Sequence, residues 1–121
     1  MTLKNLRKKI DNIDKKITGL LNMRARISLD IAKVKRREGK SIYSPDRERE
    51  VLSKLARANK GPLVNRSLEA IYREIMSSSL SIDKSLKIAY LGPEATFTHL
   101  AALKRFGSQV EYIACDSIAD V

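Results

Sequence analysis

Arg24 stands where a hydrophobic residue is due. Apolar residues fall at Leu3, Leu6, Ile10, Ile13, Ile17, Leu20, Ile27, Ile31 and Val34. Their steps alternate between three and four, the spacing of one buried helical face, and position 24 is the gap in it. A cation on such a face is costly unless it meets an anion. The bland reading is a structural ion pair or a side chain that snorkels to water. Lys35 follows eleven residues later, at nearly the same azimuth and about 16 Å along the axis. Two long cationic side chains at that spacing can converge on one small anion. Arg7 precedes Arg24 by seventeen residues, about 25 Å along a helix, too far to reach the same ligand from the same rod. An antiparallel partner helix could deliver it.

Arg47 and Glu48 add a cation and a carboxylate to the start of a second helix. Asp46, Arg49 and Glu50 surround them, so a solvated helix start with local ion pairs is the bland alternative. Ser79 and Asp83 lie four apart on one face of a third helix. The chemistry open to this set is binding and polarising an anionic small molecule. The chain has one His and one Cys, His99 and Cys115. The single Cys excludes a Cys-based zinc site and an internal disulfide framework, and neither His99 nor Cys115 is assigned a catalytic role.

Three helices must position these groups. The first runs without proline to a stop at Gly39, with Lys33, Lys35, Arg36 and Arg37 near the negative end of its dipole. Such a rod cannot bury its stripe on itself and needs other helices or a second copy of the chain. Ser44-Pro45 reads as N-cap then N1 of the second helix, which ends before Gly61-Pro62. The third spans about 63–81, with Leu68, Ile71, Tyr72, Ile75, Met76 and Leu80 on one face. Ser79 shares that face, and Asp83 would extend it by one turn. Residues 1–85 are then an all-α unit, long-short-medium, whose thin core implies an obligate dimer with paired or intertwined long helices.

Of the 121 residues, 24 are Lys or Arg and 14 Asp or Glu, a net charge of +10. The surplus sits in residues 1–85, with 21 basic against 10 acidic side chains; residues 86–121 hold 3 and 4. The texture changes at the same point, from helical rhythm to the short strands KIAYLG and VEYIAC, which places a domain boundary near Ser85. The N-terminus never enters an apolar signal region, and no apolar run approaches the roughly 18 residues of a membrane span. A cytoplasmic protein without membrane contact is expected.

The stretches LKNLRKKIDNIDKKITGLLNMRARISLDIAKVK, IYSPDRERE and IYREIMSSSLSIDK make residues 3–84 resemble the all-helical chorismate mutases. The resemblance implies an intertwined helical homodimer in which each site borrows an arginine from the other subunit, with chorismate as substrate and prephenate as product. Matched by motif, Arg7 would cross the interface to a substrate carboxylate, Arg24 would hold a carboxylate from its own subunit, and Lys35 would hydrogen-bond the ether oxygen. Glu48 would hold the substrate hydroxyl, Arg47 would position the substrate or brace its neighbours, and Ser79 would help hold a carboxylate. Two positions depart. Ser44 stands where Asp is frequent, and Asp83 stands where Gln or Glu is usual. Asp83 is shorter and must be protonated to donate a hydrogen bond. Lys35, Glu48 and Asp83 are the catalytic candidates. The rearrangement is intramolecular, so no cofactor or metal is expected.

KIAYLGPEATFTHLAALKRFG and VEYIACDSIADV resemble the start of the prephenate dehydratases, with Ala95 replacing a usual glycine. The local pattern is strand, loop, helix from about Thr98 to Phe106, a stop at Gly107, a second strand and a helix start at Asp116, a βαβ opening of an α/β domain. Residues 86–121 would be the N-terminal fragment of that domain, too short to stand alone. Together the two resemblances imply a fragment of a bifunctional mutase–dehydratase of phenylalanine synthesis, without dehydratase activity of its own. His99 and Cys115 receive no role.

Two further readings are open. A basic helical dimer could bind nucleic acid, but there is no aromatic interleaving or helix-turn-helix signature, and several cations fall on or beside the buried stripe. No nucleic-acid partner is therefore expected. A non-catalytic helical module tethering the dehydratase, or a degenerate mutase, would keep the fold without the reaction.

Overall fold

The computed structural model describes residues 1–83, 87–94 and 96–121. The boundary expected at Ser85 and the substitution at Ala95 lie outside the described residues. Four helices and a two-stranded parallel sheet follow one another in the order α1 (Leu3–Arg37), α2 (Pro45–Ala58), α3 (Asn65–Ile82), β1 (Lys87–Leu91), α4 (Phe97–Phe106) and β2 (Glu111–Cys115). The chain divides into two compact units, Met1–Lys40 and Ser41–Val121.

The first unit is α1 and its ends. Thr2 caps it, its hydroxyl accepting from the Asn5 amide at 3.2 Å. Lys35, Arg36 and Arg37 fill the last turn, where cations complement exposed carbonyls. Glu38 is the C-cap, and Gly39 follows with φ 69°, the left-handed position that glycine occupies without strain. Thirty-five residues make a rod of about 52 Å. All nine positions of its apolar stripe are exposed, from 38% at Leu6 to 63% at Leu3 and Leu20.

The second unit starts with an α2–α3 hairpin. Ser44 caps α2 and Pro45 opens it, as the sequence anticipates. Leu52, Leu55 and Ala56 face Leu68 of α3 across a narrow cleft. Asn59 organises the connection: its side-chain amide donates to the Leu63 carbonyl and Asn65 Oδ1, and its Oδ1 accepts from the Gly61 amide. The Gly61–Pro62 peptide is cis. This loop delays α3 to Asn65, two residues later than expected. At the far end α3 stops one residue short of Asp83, which turns out to ψ 96° as the C-cap instead of extending the helix.

β1, α4 and β2 form the expected βαβ unit. The strands are parallel, in register from Lys87 opposite Glu111 to Leu91 opposite Cys115. Thr96 caps α4, and the Thr98 hydroxyl donates to the Leu91 carbonyl, which ties the helix start to the end of β1. His99 stacks on the buried Tyr90 with ring centroids 4.5 Å apart, a packing role. The Tyr112 hydroxyl donates to the Ala102 and Gly107 carbonyls, and burial pushes its pKa up to about 12. The helix expected from Asp116 is a single 3-10 turn, Ile118–Asp120.

The end of α4 is seated on α3. Ser77, the most buried side chain of the described residues, accepts from the Gln109 amide at 3.0 Å. Glu74 accepts from the Ser108 amide and hydroxyl, the latter at 2.7 Å. The Arg73 guanidinium donates to the Arg105 carbonyl at 3.0 Å. Gly107 lies between them, and a Cβ built there would fall 2.5 Å from the Ser77 Cβ.

Candidate functional site

The first unit carries three of the expected cations. Arg24 and Lys35 are half-buried, whereas Arg7 lies exposed near the helix start. The continuous helix from Leu3 to Arg37 holds Arg24 and Lys35 at the three-turn spacing that two cations need to share one anion.

The second unit carries the rest. Ser44 spends its hydroxyl on the α2 cap, accepting from the Arg47 amide at 3.4 Å. Arg47 pairs with Glu50 at 2.9 Å, and Glu50 also meets Lys54 at 2.8 Å. Arg49 pairs with Asp46. The Arg47 side chain is 61% exposed, so here it braces its own helix, the local ion-pair arrangement that its acidic neighbours suggest. An exposed pair of this kind adds little to stability, because water and salt screen it.

Glu48 differs from these neighbours. It is half-buried among cations from two other elements, Arg73 of α3 and Arg105 of α4. Burial raises its carboxyl above the ordinary range, and the two guanidinium charges offset part of that rise. The carboxylate is thus supported for accepting hydrogen bonds in a partly dry place. Ser79 is half-buried and its hydroxyl donates to the Ile75 carbonyl at 3.1 Å. Asp83 holds the end of α3, its amide donating to the Leu80 carbonyl at 3.2 Å and its Oδ2 shielded from solvent.

Sequence reasoning missed Tyr43, Arg73 and Arg105 around Glu48. Arg73 carried one legible signal, its four-residue spacing from Glu69, with which it pairs at 3.2 Å. The Tyr43–Arg105 contact joins positions 62 residues apart, and no local pattern announces it. Among the described residues, no group of three or more His, Cys, Asp or Glu could hold a metal ion. No helix among them is long and apolar enough to cross a membrane.

Comparison with known proteins places these elements. Residues 88–121 match the prephenate dehydratase family. The chain is 48% identical over 123 aligned residues to a bifunctional chorismate mutase/prephenate dehydratase of Aquifex aeolicus, covering 98% of this chain and 34% of that one. It is 49% identical over 113 residues to the bifunctional chorismate mutase/prephenate dehydratase of Pseudomonas aeruginosa, covering 89% and 31%. The chain thus spans about a third of the length of these relatives. A solved chorismate mutase from Thermus thermophilus superposes with a TM-score of 0.63 at 31% identity, over 64% of this chain and 96% of that one. Residues 6–84, most of the chain, match the type II chorismate mutase family, and the chain belongs to it.

Proposed function

We propose that this chain rearranges chorismate to prephenate, as the mutase part of a bifunctional mutase–dehydratase. The observation that carries the reading is the pairing of Arg24 and Lys35 on one unbroken helix inside the span that matches the mutase family. In the reaction the ether C–O bond breaks as a C–C bond forms within the same molecule. No nucleophile or proton transfer is required. The site's task is to select the folded substrate and to stabilise charge that develops on the ether oxygen.

Arg24 binds one substrate carboxylate from its own subunit, since a guanidinium fork matches a carboxylate. Arg7 binds a carboxylate in the partner's site. Lys35 donates to the ether oxygen, Glu48 accepts from the substrate hydroxyl, and protonated Asp83 donates to the ether oxygen from the other side. Ser79 helps hold a carboxylate, Ser44 contacts the substrate, and Arg47 positions the substrate or braces its neighbours. The exposed stripe of α1 supports the homodimer this scheme needs, because nine outward apolar side chains on one rod call for a matching surface. The domain boundary falls near Ser85, with 86–121 the opening of the dehydratase domain. The protein works in the cytoplasm, with no nucleic-acid or membrane partner.

Chorismate consumption, followed by ultraviolet absorbance, tests the reading, with Arg24→Ala as the control. Losing one charge-assisted contact to a substrate carboxylate should lower kcat/KM by roughly 10- to 100-fold. Turnover to prephenate that collapses in the variant is the expected result. No turnover from a folded dimer, or an Arg24→Leu variant that is more stable and equally active, would overturn it.

A further inference from the structure

Glu48, which the mutase reading places on the substrate hydroxyl, owes part of its surroundings to the span that matches the other family. Arg105 and Phe106 are the last two residues of α4, within residues 88–121. Both close on Tyr43, just ahead of the α2 cap. The Tyr43 ring lies 4.7 Å from that of Phe106, tilted by 56°. The Tyr43 hydroxyl accepts a 2.8 Å hydrogen bond from Arg105 Nε. The same guanidinium lies near enough to Glu48 for its charge to act on that carboxyl. Arg105 is in turn held from behind, since its carbonyl accepts from Arg73 and the amides of Ser108 and Gln109 donate to Glu74 and Ser77.

We infer that Arg105 is a positioning residue for the mutase site: with Phe106 it clamps Tyr43 and so fixes the entry to α2 that carries Ser44 and Glu48. A helix's first turn is its least supported part, because its leading amides lack intrahelical acceptors. Here the Ser44 cap is a long 3.4 Å contact. A second anchor one residue earlier limits how far the first turn, and Glu48 with it, can drift from the substrate hydroxyl.

The inference rests on the mutase reading, and the test separates the two. Mutase kcat/KM is measured against pH for the full chain and for Tyr43→Phe, Arg105→Ala and Arg105→Lys. The groups facing Glu48 from the packed elements are Arg73 on α3 and Arg105 on α4; on its own helix, Arg47 and Arg49 are engaged by Glu50 and Asp46. Because the Arg105 charge favours the ionised carboxyl, Arg105→Ala should move the acid limb of the profile to higher pH. It should also lower kcat/KM by about fivefold, the effect of losing one hydrogen bond. Arg105→Lys should restore the limb and most of the activity. Tyr43→Phe, which keeps the ring contact, should lower kcat/KM by about threefold with the limb unmoved. A merely structural Arg105 would give neither the shifted limb nor the lysine rescue. An active wild-type chain whose variants match it, or a rise in activity in Arg105→Ala, would overturn the positioning role alone. Should Arg105→Ala fail to fold, a wild-type kcat/KM in Tyr43→Phe overturns it equally. A wild-type chain without turnover would overturn the mutase reading and this role with it.

Discussion

Gly107→Ala should release the end of α4 from α3. Two effects add at this position. The backbone has φ 75° and ψ −173°, a region that residues with a Cβ rarely enter, at a cost of about 1–3 kcal/mol. The new Cβ would also lie 2.5 Å from the Ser77 Cβ and 2.8 Å from its Oγ, far inside contact distance. Ser77 is helical and 1% exposed, so neither atom can swing clear. Overpacking of this kind costs about 1–3 kcal/mol. A combined penalty of about 2–6 kcal/mol corresponds to roughly 30- to 20,000-fold at 1.4 kcal/mol per decade. Two amides report on the contact directly, those of Ser108 and Gln109, whose acceptors are Glu74 and Ser77. Their hydrogen-exchange protection should fall by that factor, down to the floor set by complete undocking, while amides inside α1 keep theirs. Adding Ser77→Gly removes both clashing atoms and should recover part of the loss at Ser108, less about 1 kcal/mol for glycine in a helix, but not at Gln109, whose acceptor it deletes. Exchange at Ser108 and Gln109 within twofold of wild type in Gly107→Ala would refute the packing argument.

Glu74 gives the same contact a pH dependence. Hydrogen bonding from Ser108 holds its carboxyl below the ordinary range, so its contribution is present above the unfolded carboxyl pKa and is lost as pH falls through the lowered folded value. Protection at Ser108, corrected for the intrinsic pH dependence of amide exchange, should fall on acidification in wild type and stay flat in Glu74→Gln. Ile17→Glu places a charge mid-stripe on α1 and should shift sedimentation from dimer to monomer with loss of mutase activity; an unchanged dimer would mean the stripe is not the interface. Asp83 should give an alkaline limb to the mutase profile, because a protonated carboxyl is needed to donate to the ether oxygen. Asp83→Gln should remove that limb, and a flat profile between about pH 4.5 and 8 in both proteins would discard the role.

The local features of the fold were readable because they are set by neighbours in sequence. The three-four rhythm of α1, Ser44-Pro45 at the head of α2, and the stop at Gly107 each depend on a few adjacent residues. Boundaries slipped where a side chain reached across a loop, as Asn59 does before α3. The serine run at 77–79 shows the limit more sharply. Ser79 drew attention through its motif, and its hydroxyl bonds back to its own helix at Ile75. Ser77, two residues earlier, is the one sealed inside the structure, by a contact with residue 109. Nothing in the spacing distinguishes them, because the distinction belongs to the segment that docks. Glu48 was legible as a candidate for its residue type, but its surroundings were not, since Arg73 and Arg105 come from two later elements.

Those surroundings carry a consequence for stability. Burial is the largest influence on the Glu48 carboxyl and raises its pKa, while Arg73 and Arg105 offset only part of that. A carboxyl whose folded pKa lies above its unfolded value favours the folded state in its protonated form. Its contribution is therefore fully present below the unfolded pKa of about 4.3 and is lost as pH rises through the folded value. At neutral pH the chain accordingly holds an ionised Glu48 at some expense of stability, as is common where a site keeps a charged group partly dry. A neutral group of the same shape should relieve it. Glu48→Gln is expected to melt at a higher temperature than wild type at pH 7, with the difference shrinking to nothing near pH 4, while mutase activity falls because a neutral amide oxygen accepts from the substrate hydroxyl more weakly than a carboxylate does. The two readouts must move in opposite directions. A Glu48→Gln chain less stable than wild type at pH 7 would mean that the attraction of the two arginines outweighs burial, and Glu48 would then be a structural ion-pair partner before it is a ligand for substrate.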